Sequence, residues 1–266
     1  SSNGQSWSAF SASGRRLMRP GLTLSFALLI AMMAALAPGR AAADSCKVPA
    51  DLLSARSKLS KVEAAARGGR PLNILVIGSK SSTIEGAEAN AYPARLQVAL
   101  SRKLPAAKVN VNVELLQGRS AEEASAGFAR LMATTKPVLV VWQTGTVDAL
   151  RSIGPDDFRA SVDHGVTILK NAGADVILMN LQYSPRTETM ISTRPYLDNL
   201  RAVADERDIP LFDRFAIMRQ WDERGEFDLF SAAPGAGLAK RVHNCIGRAL
   251  ADFILRAASF GPAQEN

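Results

Sequence analysis

The chain has 266 residues, with 32 Lys and Arg against 25 Asp and Glu, and only two histidines and two cysteines. So few and so widely spaced, the His and Cys residues form neither a metal-ligand cluster nor a CxxC redox pair. The basic balance does not point to nucleic acid either, because no basic cluster with interleaved aromatics is present.

In chain order, Arg15, Arg16 and Arg19 precede an apolar run over residues 22–36, and Ala41, Ala42 and Ala43 follow it. A basic flank, a short apolar run and a small-residue end describe a signal peptide over residues 1–43, cleaved near Ala43. The run is shorter than the roughly 20 residues of a spanning helix, so a periplasmic or secreted protein without a stable membrane span is expected. That leader holds four of the basic residues and no acidic one, which leaves 28 basic against 25 acidic residues, a net charge of +3. In an oxidising compartment Cys46 and Cys245 are expected to form one disulfide.

Residues 44–70 read as an amino-terminal helical segment, 71–260 as one α/β domain and 261–266 as a flexible tail. Within the domain, apolar strands are predicted at 73–78, 109–116, 137–143, 175–182 and 209–213. Amphipathic helices are predicted at 92–104, 120–134, 156–173, 193–208 and 244–258. Ser120 and Glu123 are spaced as a capping box at the start of the second of these helices. Apolar strands alternating with helices across short polar turns indicate a mostly parallel sheet covered on both faces. No GxGxxG or P-loop follows any strand, so no nucleotide cofactor is expected.

In such a sheet ligands gather beyond the carboxyl ends of the strands. Four of those ends are chemically distinctive: GSKSST after the first strand, LLQGRS after the second, QTGTVDA after the third and LQYSPRTE after the fourth. A serine there becomes a nucleophile only if a base takes its proton, and otherwise it caps the next helix. Only two histidines are available as that base: His243, immediately before the terminal helix, and His164, inside a helical pattern.

These loop ends resemble the blocks of the SGNH (GDSL-type) hydrolases in order and spacing, from Asn73 to Ala257, with degenerate motifs. The resemblance implies a three-layer α/β/α sandwich on a five-stranded, mostly parallel, flavodoxin-like sheet. Where the family has Gly-Asp-Ser, this chain has Gly78-Ser79-Lys80, followed by Ser81, Ser82 and Thr83. One extra loop residue makes Ser81 the expected nucleophile, with Ser82 and Ser79 behind it. Gly118 falls where the family's second block supplies an oxyanion amide. Gly145-Thr146-Val147-Asp148 matches the third block, but Val147 replaces the asparagine that donates to the oxyanion. Gln143 and Thr146 are candidates to compensate.

His243 stands where the family keeps its catalytic base, yet Lys240 occupies the position of the acid in Asp-x-x-His. Asp228, Asp213 or a backbone carbonyl is left to orient the imidazole. Tyr183, Arg186, Thr187 and Arg194 border the expected site, where the two arginines suit an anionic or carbohydrate substrate. The resemblance implies an exported serine esterase acting on a small acyl ester, such as an O-acetyl group on an envelope or extracellular glycan, with no cofactor or metal. The alternative is an impaired hydrolase-like domain that binds a glycan or acidic ligand without turnover.

Overall fold

The computed structural model describes residues 46–230 and 236–260. The expected leader, its cleavage point and the tail lie outside the described residues. Among those described, no helix is long and apolar enough to cross a membrane.

Five strands form one sheet: β1 (Leu72–Gly78), β2 (Val109–Leu115), β3 (Leu139–Gln143), β4 (Asp175–Met179) and β5 (Leu211–Phe212). Their order is β2-β1-β3-β4-β5, and every pairing is parallel. The near-continuous apolar sequence of β1, β3 and β4 follows from burial on both faces. By contrast β2 is an edge strand and its residues alternate, with Val113 and Leu115 exposed. The path reverses between β1 and β3, one neighbour being reached backwards to β2 and the other forwards. That reversal opens a crevice at the strands' carboxyl ends.

The helices are α1 (Ser60–Arg67), α2 (Tyr92–Lys103), α3 (Ala121–Ser125), α4 (Phe128–Thr135), α5 (Thr146–Leu150), α6 (Pro155–Asn171), α7 (Pro185–Met190), α8 (Arg194–Glu206), α9 (Arg214–Glu223) and α10 (Ala236–Ala257). Helices α2 and α10 pack together, while α6 packs against α3, α4 and α8. These two groups are the outer layers of the sandwich. On the α6 side Trp142 of β3 lies edge-on to Phe128. Gly165 admits that indole, since a Cβ there would stand 2.6 Å from its ring. On the α10 side Phe212 meets Phe253. Each such fully buried aromatic contributes on the order of 1.5–3 kcal/mol.

Departures from the sequence reading have local causes. The amino-terminal segment is helical only over α1, whose first amides, Lys61 and Val62, donate to the Asp175 carboxylate at 2.9 Å each. The preceding stretch is instead tied down by the Cys46–Cys245 disulfide and by the Trp221 indole donating to the Lys47 carbonyl at 2.9 Å. Short helices α5, α7 and α9 form in regions whose residues show no clear periodic pattern. Most consequentially, α10 begins at Ala236 rather than at residue 244, so His243 lies within the helix. The apolar stripe Val242, Ile246, Ala249, Leu250 and Phe253 is buried along it.

Candidate active site

The site begins where β1 ends. A Cβ on Gly78 would lie 2.2 Å from Ser82 Oγ, so glycine is what lets the turn Lys80–Ser82 fold back onto the strand end. Ser82 is buried there, within 3.0 Å of the Tyr92 hydroxyl and 3.0 Å of Gln143 Oε1. It is a packing element of the turn.

Gln143, at the end of β3, organises the whole cluster. Its Oε1 accepts from the Ser79 amide at 3.2 Å, Ser79 Oγ at 3.0 Å, Ser81 Oγ at 3.3 Å and Ser82 Oγ at 3.0 Å. A backbone amide can only donate, so the Ser79 N–H fixes the oxygen, not the nitrogen, against the serines. Gln143 therefore presents an acceptor here, not the donor that an oxyanion needs.

A donor to the Ser81 hydroxyl comes from a residue outside the sequence prediction. Asp213 caps α9, its Oδ1 accepting from the Ala216 amide at 2.9 Å and from Asn180 Nδ2 at 2.7 Å. The next residue, Arg214, is only 2% exposed, and its Nη1 donates to Ser81 Oγ at 3.3 Å. Its Nε and Nη2 are buried and have no hydrogen-bond partner among the described residues. Burial pushes the Arg214 pKa down to about 10, which still leaves it cationic at neutral pH. A cation against Ser81 Oγ favours negative charge on that oxygen.

His243 enters from α10. Its Nδ1 accepts the Tyr92 backbone amide at 3.0 Å, and its ring stacks over the Tyr92 ring at 5.9 Å between centroids. Burial, and secondarily the charge of Arg214, lower its pKa to about 4. A neutral imidazole whose Nδ1 accepts a hydrogen bond carries its proton on Nε2.

Ser81, Tyr92, Arg214 and His243 line one cavity of about 340 Å³, walled elsewhere by Tyr183, Met218, Leu229, Leu238, Val242 and Ile246. A second hollow, of about 20 Å³, lies beside Ser79, Gln143, Gly145, Thr146 and Val147. It has room for one water. The serine turn thus divides two spaces, with Ser81 facing the large one and Ser79 the small one. Thr146 Oγ1 and Asp148 Oδ2 are buried and have no partner among the described residues. The other oxygen of Asp148 accepts the Ala121 amide at 2.9 Å, and burial raises this carboxyl's pKa.

The remaining predicted residues scatter. Arg186 lines the large cavity and its guanidinium lies over the Phe230 ring at 5.8 Å. Arg194 is instead exposed and pairs with Asp198 at 3.7 Å. Gly145, at φ +104°, starts α5 in a place where a Cβ would meet Leu181 at 2.6 Å. Gly118 occupies an exposed turn at φ +71°, its carbonyl accepting from Arg151 at 2.7 Å, and it lines neither hollow. Asp228 is exposed and accepts the Phe230 amide at 3.1 Å. The imidazole it was a candidate to orient instead accepts the Tyr92 amide at Nδ1. His164 lies exposed on α6.

The fold is the α/β/α sandwich shared with SGNH-type structures. The Non-GDSL lipase-like family matches this sequence over residues 45–260, and the chain belongs to that family. No curated protein matches it. Among solved structures it is similar to the acetylxylan esterase Axe2 of Geobacillus stearothermophilus, at 18% identity and TM-score 0.56, over 71% of this chain and 94% of that one. It is also similar to the esterase EstA of Pseudoalteromonas sp., at 17% identity and TM-score 0.54, over 69% and 96% of the two chains. TesA gives 22% identity and TM-score 0.54, over 68% and 99%.

Proposed function

We propose that the chain is a serine ester hydrolase acting on a small acyl ester, with Ser81 as nucleophile. The observation that carries this reading is the placement of Ser81, Arg214 and His243 around one cavity beside the turn that follows β1. Family membership, and the esterases among the structural neighbours, support the reaction class.

In this reading Ser81 attacks the ester carbonyl. Arg214 supplies the charge that stabilises the oxyanion, in place of the side-chain donor that Val147 lacks. A single donor at such a position is worth roughly a hundred- to a thousandfold in rate. His243 takes the serine proton and returns it to the leaving alcohol. To do so it must present a bare Nε2, and the Tyr92 amide opposes that tautomer. The productive state is therefore one in which the ring has left the amide. We place the protein in the periplasm or outside the cell, in keeping with the Cys46–Cys245 bridge and the expected leader. The substrate assigned on the Axe2 likeness is an O-acetyl ester on an envelope or extracellular glycan.

A second reading, binding without turnover, is favoured by one observation: at rest Nδ1 is held by an amide. Hydrolysis of p-nitrophenyl acetate separates the two. A catalytic wild type, with Ser81→Ala and His243→Ala reduced roughly a thousandfold or more and Ser79→Ala little changed, is the result expected of the hydrolase. Turnover that survives Ser81→Ala removes it.

A further inference from the structure

The amino-terminal edge of the sheet, opposite the cavity, is lined by cations. Lys108 stands one residue before β2, Arg70 two before β1, Lys136 three before β3 and Lys170 five before β4. Those four strands are consecutive neighbours in the sheet. Helix α1 reaches the same edge, because its Lys61 and Val62 amides bond Asp175 at the start of β4, and it brings the Lys61 side chain there. All five residues are exposed, and none makes an ion pair among the described residues.

The carboxylates close by are committed elsewhere. Asp175 holds the two α1 amides, Glu63 pairs with Arg67 at 2.9 Å and Asp208 accepts the Ser57 hydroxyl at 2.7 Å. Burial raises the Asp175 pKa against those amides and against the charges of Lys61 and Lys170. Two lysines thus share one half-buried carboxylate. Residues 261–266 add one acidic side chain, Glu265.

Local needs account for part of this row. Lys136 caps α4 and Lys170 lies in the last turn of α6, where a cation complements the helix dipole. Lys61 has no such reason: it stands in the first turn of α1, the end that favours an anion. Arg70 and Lys108 lie outside helices. Neighbouring strands are about 4.8 Å apart, within the Debye length of about 8 Å at physiological salt, so these charges act together on a partner.

The shape of the edge narrows that partner. None of the five lines any of the main hollows, so a polymer strand would find no groove. No exposed large apolar side chain comes from the segments that carry them. A cationic face without groove or apolar anchor suits the plane of an anionic bilayer, approached by charge and not by insertion.

We infer that this edge docks the protein reversibly on an anionic phospholipid surface. The cavity opens beyond the other ends of the strands, roughly 20 Å away, so a docked chain keeps it clear of the bilayer. The inference does not depend on turnover.

The test is flotation with lipid vesicles of the oxidised chain from Asp44, the form expected after cleavage near Ala43. Vesicles of phosphatidylcholine are compared with vesicles that also contain phosphatidylglycerol, at physiological and at high salt. Wild type is expected to float with the phosphatidylglycerol vesicles alone and to be released by high salt. Lys61→Gln/Arg70→Gln/Lys108→Gln should bind roughly thirty- to a hundredfold more weakly, at about fivefold per cation. Arg130→Gln/Arg194→Gln/Arg224→Gln removes the same charge from exposed positions elsewhere and should bind as wild type does. The charge-conserving Lys61→Arg/Arg70→Lys/Lys108→Arg should also bind fully, which separates charge from any loss of fold. Equal binding to uncharged vesicles, equal losses in the two glutamine triples, or no binding at all would each overturn the inference. So would preferential binding of soluble polygalacturonate, which would give the edge to an acidic polymer.

Discussion

The backbone amide of Tyr92, the first residue of α2, donates to Nδ1 of His243 on α10 at 3.0 Å. An interhelical contact therefore sets the tautomer of the only histidine in the cavity. The contact exists because α2 and α10 approach closely at Gly247, where a Cβ would stand 2.9 Å from the Tyr92 carbonyl and 2.6 Å from Arg95 Cβ.

Gly247→Ala should consequently push the helices apart. The expected cost is about 1–3 kcal/mol for overpacking a tight contact, read as a lower midpoint in urea. Loss of the Tyr92–His243 bond should appear in the same variant as a shifted imidazole nitrogen resonance. A variant as stable as wild type, with an unchanged imidazole signal, would contradict this packing account.

The pH dependence follows from burial of the same ring. The His243 pKa is lowered to about 4 by burial and by Arg214, while an unfolded histidine titrates near 6.5. Between those values the unfolded chain binds the proton first, so stability falls as pH drops from about 6.5 to about 4 and this contribution levels off below. The neutral ring also persists through that window. The acid limb of kcat/KM is therefore expected near 4, and His243→Gln should flatten this part of the stability profile. An acid limb near 6.5 would show a ring far more solvated than the geometry allows.

Gln143→Leu tests the acceptor that holds the serine turn. Leucine would leave the Ser79 amide and the buried Ser82 hydroxyl without their shared partner. The expected destabilisation is about 1–3 kcal/mol, with esterase activity reduced through displacement of Ser81. Chemical denaturation together with p-nitrophenyl acetate turnover measures both effects.

Reduction of the Cys46–Cys245 bridge opens a loop whose ends are 199 residues apart. The chain-entropy account puts its contribution on the order of 3–5 kcal/mol, equivalent to roughly 10 °C in Tm for a domain of this size. Because Cys245 lies on α10 two residues after His243, the reduced protein should also hydrolyse p-nitrophenyl acetate more slowly. Melting curves and turnover with and without reductant check both outcomes.

Much of the fold was legible from residue patterns. Continuous apolar runs at β1, β3 and β4, the alternating β2 and the Ser120 capping box all carry local signals, and each element forms where its pattern lies. The bridge between the two cysteines was equally readable, because only one pairing exists. Arg214 was not. It follows Phe212 and Asp213 and precedes Phe215, Ile217 and Met218, and a lone cation in so apolar a stretch is a weak signal of burial. Its meaning depends on α9 turning back over the β1 turn, a contact 133 residues apart in sequence. The start of α10 was also missed, since the helix runs back through Lys240 and Arg241 to Ala236 and carries His243 with it. Gly118 was assigned an oxyanion amide only through its match to the family's second block. Its exposed turn and its bond to Arg151 depend on the path of β2 along the sheet edge.

The central claim is that the Ser81 hydroxyl is a nucleophile supported by Arg214. Its most direct test is to expose the oxidised protein to a fluorophosphonate and map the adduct by peptide mass spectrometry. The account predicts one adduct per chain on Ser81, absent in Ser81→Ala and formed much more slowly in both His243→Ala and Arg214→Met. No adduct on wild type, or an adduct on Ser79 that persists in Ser81→Ala, would contradict it.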